Sequence, residues 1–261
     1  MRSREGSIGT RILGTASVRA AYRIVLAEDA HGVRQAQRLR FEVFNLELGV
    51  GLARAYGAGL DEDEFDPRCD HLLLEHCDSG TIVSTYRLLP GRRVVTVASL
   101  YSATEFDLTA FGPLLPELGE LGRACIQRRH RNPTALGLLW RGIAEYAASH
   151  GLRYLIGCSS LHTVDAAVGA ALYRDLAWQY LAPERFRTRP RSGYACPLET
   201  SAGVSVDPPK LLSAYLSLGA RICGAPAIDR EFGSIDFPTV LDLETLGPRL
   251  HRYAAGTEGD T

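Results

Sequence analysis

Apolar and polar positions switch between two periods along this chain, and the switches predict alternating strands and helices. Tyr22-Arg-Ile-Val-Leu-Ala27 alternates as a short strand. From His31 to Leu48, the residues Val33, Ala36, Leu39, Val43 and Leu46 recur near helical spacing, so a helix is expected there. His71 to Leu74 and Thr81 to Leu89 read as two strands, joined at Asp78-Ser79-Gly80 by a hairpin turn. Glu120 to Ile126 reads as a central strand, Gln127 to Thr134 as a basic loop, and Ala135 to His150 as a helix stopped by Gly151. Tyr154 to Cys158 is the next strand and Thr163 to Leu176 the next helix. Tyr194 to Leu198 is expected as a late strand and Leu211 to Leu218 as a short helix, before a last apolar segment from Phe237 to Leu243. A hairpin set within strand–helix alternation favours a mixed-sheet α/β fold over a purely parallel one.

This pattern divides the chain into a disordered leader at 1–20, a core at 21–200, and an extension at 201–261 that packs on the core and ends in a disordered tail. The leader holds four arginines and one acid but no apolar stretch of the kind a secretory signal needs. No apolar run approaches the ~20 residues of a membrane-spanning helix. A chain of 261 residues buries roughly three-quarters of its unfolded surface, so no disulfide or metal staple is required. The six cysteines are scattered without a Cys-x-x-Cys pair and read as reduced thiols of a cytoplasmic protein.

Composition excludes several chemistries. The 29 basic and 30 acidic residues leave a net charge of −1, which argues against broad nucleic-acid binding. Lys210 is the only lysine and follows Pro208-Pro209, so neither a phosphate-binding P-loop nor Schiff-base catalysis is available. Gly49-Val-Gly51 resembles a dinucleotide fingerprint only superficially, because a helix precedes it. Cys69, His71, His76 and Cys77 match no standard zinc spacing, and no metal site is expected. Cys158-Ser159-Ser160-Leu-His162 lacks a Gly-x-Ser-x-Gly elbow, so Ser159 and Ser160 read as ligand hydrogen-bonders or helix caps. There is no His-x4-Asp, the usual mark of glycerolipid O-acyltransferases.

Three charge constellations remain. Residues 61–66 hold five acids, with Phe65 as an aromatic anchor that a merely solvated run would not need. Glu120-Leu-Gly-Arg123 would place its two charges on opposite faces of a regular strand, whereas a bulge near Gly122 would bring them together. A carboxylate so placed beside a cleft can serve as a general base, directly or through a water. Arg128, Arg129, His130 and Arg131 stand before a helix start, and no acid occurs from Leu121 to Ala144. Such a cluster suits a phosphate.

In order along the chain, Arg40-x-x-Val-Phe44, Asp63-Glu-Phe-Asp66, Gly80-x-Ile-Val-x-Thr-Tyr-Arg87, Thr104-Glu-Phe-Asp-Leu, Glu120-Leu-Gly-Arg-Ala-Cys125 and Gly157-Cys-Ser-Ser160 resemble the ornithine–acyl carrier protein N-acyltransferases. These are the "hemolysin-like" branch of the GNAT superfamily. Ala220-Arg-Ile-Cys-Gly-Ala-Pro-Ala and the following Asp229 and Asp236 look like the same family's C-terminal signature, so the resemblance runs from about Tyr22 to Leu250. Acyl-homoserine-lactone synthases are more distantly similar, through Arg40, Phe44, Asp63, Asp66, Arg87, Glu120 and Arg123.

The resemblance implies a GNAT-like mixed sheet, splayed between the strands at 120–126 and 154–158 and flanked by helices. An acyl-phosphopantetheine would enter the splay against Ala124, Cys125 and Ile126, with Arg128, Arg129 and Arg131 meeting its phosphate. The usual GNAT phosphate loop is not intact here, since Arg129 to Ala135 contains Pro133 and no glycine, which points to acyl carrier protein rather than coenzyme A. Glu120 would be the base and Arg123 its positioning partner. Arg40, Phe44, Asp63, Asp66, Arg87, Ser159 and Ser160 would form the acceptor pocket, with the aspartates facing ornithine's second amine and the arginines holding its carboxylate or bracing the acidic loop. The reaction so implied moves a 3-hydroxy fatty acyl group to ornithine's α-amine, with no bound cofactor, in the cytoplasm or peripherally at the inner membrane face. A separate O-acyltransferase would complete the lipid. Competing readings are an N-acyl amino acid or homoserine-lactone signal synthase, and a non-catalytic protein that binds acyl carriers.

Overall fold

A computed structural model describes residues 10–12, 21–199 and 205–246, and their strands join in one mixed sheet. In chain order the elements are β1 (Thr10–Ile12), β2 (Tyr22–Ala27), α1 (Ala30–Arg40), α2 (Ala55–Ala58), β3 (Asp70–His76), β4 (Thr81–Pro90) and β5 (Leu118–Ile126). There follow α3 (Pro133–His150), β6 (Tyr154–Leu161), α4 (Ala166–Tyr180), α5 (Lys210–Leu218), β7 (Arg221–Ile222), β8 (Ala227–Asp229) and β9 (Ser234–Asp242). The spatial order is β1-β2-β3-β4-β5-β6-β9-β7, with β8 also paired to β9. Every pairing is antiparallel except β5 with β6. That parallel pair needs a crossover, and α3 supplies it, ending where Gly151 takes a φ of 62° that a side chain would resist.

Both faces of the sheet are covered, which explains the unbroken apolar run Leu72-Leu73-Leu74 in β3. Leu72 and Leu74 pack with Leu139, Trp140 and Ile143 of α3, whereas Leu73 packs on the opposite face with Ala36 and Leu39 of α1. The helix expected from His31 to Leu48 changes register midway. After Arg40 it continues as a π-helical turn, Phe41–Glu47, closed by Leu48 N–H on the Val43 carbonyl at 3.0 Å. The shift turns Leu46 outward to 61% exposure, against the face its spacing predicts, and lets Asn45 Nδ2 donate to the Leu52 carbonyl at 3.0 Å.

Two further expectations need correction. Tyr194 to Leu198 forms no strand and makes only an isolated bridge from Ala195 to Ala227, because Pro197 has no N–H to give a ladder. The last apolar segment begins earlier than Phe237, at Ser234, and as β9 it lies inside the sheet beside β6. Of the leader expected at 1–20, residues 10–12 form β1 along β2, and the other residues before 21 lie outside those described, as does 247–261 of the expected tail. Among the described residues, no helix is long and apolar enough to cross a membrane.

β5 and β6 pair only from Leu118–Glu120 to Tyr154–Ile156. Beyond Glu120 the strands part, as the splayed sheet requires, and Leu121–Ile126 keeps β4 on one side with no strand on the other. Gly157 sits where they separate, and a Cβ there would lie 2.4 Å from the Leu121 carbonyl oxygen.

Candidate active site

Of the two arrangements open to Glu120-Leu-Gly-Arg123, the structure has the bulged one. Thr85 pairs with Cys125 and Arg87 with Gly122, so Arg123 and Ala124 together oppose Tyr86. Arg123 takes a φ of 50°, the only non-glycine residue described with positive φ. Leu121, Ala124 and Ile126 consequently face the α3 core, while Glu120 and Arg123 share the opposite side. Arg123 projects its guanidinium between two rings, 5.0 Å from the centroid of Tyr101 and 4.8 Å from that of Phe232.

Glu120 is buried, and both its oxygens are engaged. Oε2 accepts the Tyr101 N–H at 2.8 Å and Oε1 the Ser102 N–H at 2.7 Å, which anchors a 3₁₀ turn at Tyr101–Thr104. Each carboxylate oxygen retains a second lone pair, so a water can still be held.

The acidic loop is a packed element whose charges are matched by arginines. Arg40 is fully buried, with Nε on Asp61 Oδ1 at 2.8 Å and Nη2 on Asp66 Oδ2 at 2.6 Å. Arg87 Nη1 meets Asp63 Oδ1 at 2.5 Å and Asp66 Oδ1 at 3.1 Å. Arg123 reaches Asp63 Oδ2 at 3.1 Å. Burial works to raise the pKa of Asp63, but Arg87 and Arg123 outweigh it and hold the carboxyl below its ordinary value. Against the same burial, Arg40 and Arg87 hold Asp66 far below the usual carboxylate range. Phe65 packs edge-on against Tyr101 at 5.4 Å, the anchoring role its position suggests.

A cavity of about 970 Å³ opens beside this network, and Asp63, Asp66, Tyr101, Glu105, Arg123 and Asp229 contribute to its wall. Arg40, Arg87, Phe44, Ser159, Ser160 and Glu120 do not line it, Glu120 standing behind Tyr101. The two arginines therefore brace the acidic loop from behind. Phe44 belongs to the core under α1 and packs edge-on against Phe232 at 5.3 Å, propping the ring that carries Arg123. The serines diverge because neighbours on a strand face opposite ways. Ser159 bonds Thr239 at 3.3 Å on one face, while Ser160 joins Asp236 on the other.

Sequence reasoning assigned no role to Glu105, although its Thr-Glu-Phe-Asp-Leu setting was conspicuous. Glu105 is 1% exposed, and no N–H or hydroxyl of the described residues donates to either oxygen; its hydrogen-bonding neighbour is another acid, Asp236. Its carboxyl, that of Asp236 and the Cys158 sulfur lie within 4.8 Å of one another. Burial, then Asp236 and Asp229, push the Glu105 pKa well above the ordinary carboxylate value.

The basic loop is less purely cationic than its local sequence. Arg128 and Arg129 are exposed, but Arg131 bonds Glu47 at 2.7 Å and the Ile126 carbonyl at 2.9 Å. Glu42 and Glu47 share a second hollow with Arg128 and Arg129, brought there by the π-helical turn. The α3 N-terminus also offers little to a phosphate, since Pro133 has no N–H and the Asn132 side chain takes that of Ala135 at 2.9 Å. Cys125 turns its side chain into the α1 core, so only its backbone borders the open edge.

Residues 39–141 match the family model of the acetyltransferase (GNAT) domain. The chain is 35% identical over 255 residues to the L-ornithine N(alpha)-acyltransferase of Rhodobacter capsulatus, covering 92% of this chain and 97% of that protein. It is 30% identical to the protein of that name from Brucella abortus, over 87% of this chain and 86% of the relative. In structure it resembles the AHL synthase LasI, with a TM-score of 0.51 and 12% identity over 97% of this chain and 100% of that one. It also resembles FeeM, an N-acyl amino acid synthase from uncultured soil microbes, with a TM-score of 0.52 and 13% identity over 91% and 98%. At such identities the two structures speak to the fold.

Proposed function

The chain belongs to the L-ornithine N(alpha)-acyltransferases, acyltransferases on a GNAT-like mixed sheet, and on that premise we propose the reaction it performs. It moves a 3-hydroxy fatty acyl group from the phosphopantetheine thioester of acyl carrier protein to the α-amine of ornithine, the first step of ornithine lipid synthesis. The observation that carries this reading is that Glu120 is the last β5 residue paired to β6 and also holds Tyr101, which lines the acid-walled cavity. Glu120 itself stands behind the cavity wall, and the open edge suited to a thioester is linked to the pocket suited to an amine through its hydrogen bond to Tyr101.

The acyl-phosphopantetheine lies in the splay along Ala124, Cys125 and Ile126, where a backbone N–H freed near the bulge polarises the thioester carbonyl. The deprotonated amine attacks the carbonyl carbon, the C–N bond forms, and the C–S bond breaks. Through a water, Glu120 first passes one ammonium proton to solvent to free the amine; after attack it takes a second proton from the now cationic nitrogen and delivers it to the departing thiolate. Arg123 fixes the cavity wall on which the acceptor rests, and Arg40, Arg87, Asp63 and Asp66 keep that wall rigid. Arg128 and Arg129 meet the acidic surface of the carrier protein. No permanently bound cofactor takes part in this scheme. A soluble carrier lets the enzyme work in the cytoplasm with at most peripheral membrane contact, and a separate O-acyltransferase finishes the lipid.

The test is an assay of the purified protein with 3-hydroxyacyl carrier protein or the matching coenzyme A thioester and a panel of amino acids, read by mass spectrometry. N-acylornithine formed from the carrier protein is the expected product. No acylated amino acid from a folded enzyme overturns the reading, and a preference for coenzyme A overturns its donor.

A further inference from the structure

We propose that Glu105, Asp229 and Asp236 form the receptor for the side-chain ammonium of the acceptor, making this cluster the determinant of a diamino acid over a neutral one. The proposal deepens the reading above and rests on it. It also reassigns a role that the sequence suggested for Asp63 and Asp66.

The reassignment follows from which charges already have partners. Asp61, Asp63 and Asp66 share three buried arginines, so an ammonium arriving there would meet a network already neutralised. Glu120 holds two backbone N–H groups. Asp229 Oδ1 accepts the N–H groups of Glu231 and Phe232, both at 2.9 Å, and Asp236 Oδ1 accepts the Ser234 hydroxyl at 3.1 Å. Glu105 alone lines the cavity while buried and without any N–H or hydroxyl donor on either oxygen among the described residues. A buried carboxyl left this way is costly unless something binds it. Glu105 and Asp236 have only a shared proton between them, and no arginine or lysine among the described residues bonds to the three acids, so a cation that displaces this proton would complete the cluster.

A primary ammonium carries three N–H donors; Glu105 and Asp229 would meet it from the cavity wall, with the Asp236 carboxyl behind them, within 4.8 Å of that of Glu105. Tyr101, in the cavity wall, lies between Glu120 and the acid cluster: its backbone N–H rests on Glu120, and its hydroxyl faces Asp229 Oδ2 at 3.4 Å. One tyrosine therefore separates the carboxylate that would serve the α-amine from the acids that would hold the distal one. A metal ion is the competing occupant, since Cys158 lies within reach of Glu105 and Asp236. Cys158, however, packs into an apolar cluster with Leu89, Tyr154 and Ile156, where a thiolate ligand is disfavoured.

The experiment compares kcat/KM for ornithine and for norvaline, which has the same carbon skeleton without the second amine. With 3-hydroxyacyl carrier protein, the wild-type enzyme should prefer ornithine by at least ~10²-fold. Glu105→Gln should lower the ornithine value by roughly 10²-fold and leave norvaline within a few-fold, so the preference collapses. An unchanged preference overturns the proposal, as does an equal loss for both substrates or activity removed by chelator and restored by zinc. If Glu105→Gln fails to fold, Asp229→Asn is read by the same ratio. If that also fails, thermal protection of the wild-type protein decides, and equal protection by ornithine and norvaline overturns the site. A wild-type enzyme that acylates no amino acid removes the parent reaction; one that acylates ornithine and norvaline alike removes only this receptor.

Discussion

Glu120 and Arg123 grip the same residue from two sides: Glu120 Oε2 holds the Tyr101 N–H at 2.8 Å, and the Arg123 guanidinium lies 5.0 Å from the centre of the Tyr101 ring. The bulge makes this possible, because in a regular strand the two side chains would leave opposite faces. Tyr101 is thereby fixed in the cavity wall by backbone and ring together.

Substituting Glu120→Gln should lower kcat by ~10²–10⁴ if the carboxylate relays the proton. The same change turns an amide NH₂ toward a backbone N–H, so the melting temperature should fall as well. Steady-state kinetics beside a thermal melt separates the two effects. A folded variant with near-normal kcat restricts Glu120 to anchoring the 3₁₀ turn.

Removing Arg40 tests the network behind the wall. Arg40→Met leaves Asp61 without its closest ion pair and Asp66 with one arginine fewer, at a cost of about 3–5 kcal/mol for a broken buried pair. Urea denaturation should show it directly. A loss below about 1 kcal/mol would mean the loop relaxes into solvent.

The titration of this protein should have two opposite slopes. Asp63 and Asp66 have lowered pKa values when folded, so their stabilisation is complete above the ordinary carboxylate range and is lost as pH falls through it, below about pH 4. Glu105 has a raised value, so the folded state binds the extra proton and stability declines as pH rises above the ordinary range toward the raised value. Asp66→Asn should flatten the acid limb of a stability–pH curve, and Glu105→Gln the other limb. A curve unchanged by both substitutions contradicts these shifts.

Gly157→Ala probes the splay. Its Cβ would meet the Leu121 carbonyl oxygen, a backbone atom that cannot rotate away, so β5 and β6 must move. Overpacking of this kind costs about 1–3 kcal/mol, and KM for the acyl donor should rise more than KM for ornithine. Equal changes in both constants would place the donor elsewhere.

Arg128→Ala with Arg129→Ala should raise KM for acyl carrier protein and weaken its dependence on salt, with little change in melting temperature because both side chains are exposed. Arg131→Ala should instead lower stability, since it loses Glu47 and the Ile126 carbonyl. If the double variant binds the carrier normally at every ionic strength, docking uses another surface.

The place of the bulge was legible in four residues, because Glu120 and Arg123, with Leu121 and Gly122 between them, share a face only if the register breaks. The sequence did not say that it breaks. The packed acidic loop was legible from Phe65. The spent charge of Asp63 and Asp66 was not, since Arg40, Arg87 and Arg123 converge on them from three separate elements. Glu105 meets Asp236 only because β9 returns to lie against β6, a contact between segments that no local pattern encodes. The outward turn of Leu46 escaped for a different reason: a π-helical turn changes the period without changing residue type.

The seat of β9 also sets an order of assembly. Synthesis runs from the N-terminus, so β1 to β5 and the arginine-braced loop are available for folding before Asp229 and Asp236 have left the ribosome. Until then β6 lacks the antiparallel partner that pairs with it from Tyr154–Asp242 to Leu161–Ile235, and it presents an open sheet edge. On the assignments proposed above, a nascent chain can thus complete the thioester side of its site while the amine side is still unmade. Acyl transfer so assigned waits for β9, and that strand also covers an open sheet edge of β6.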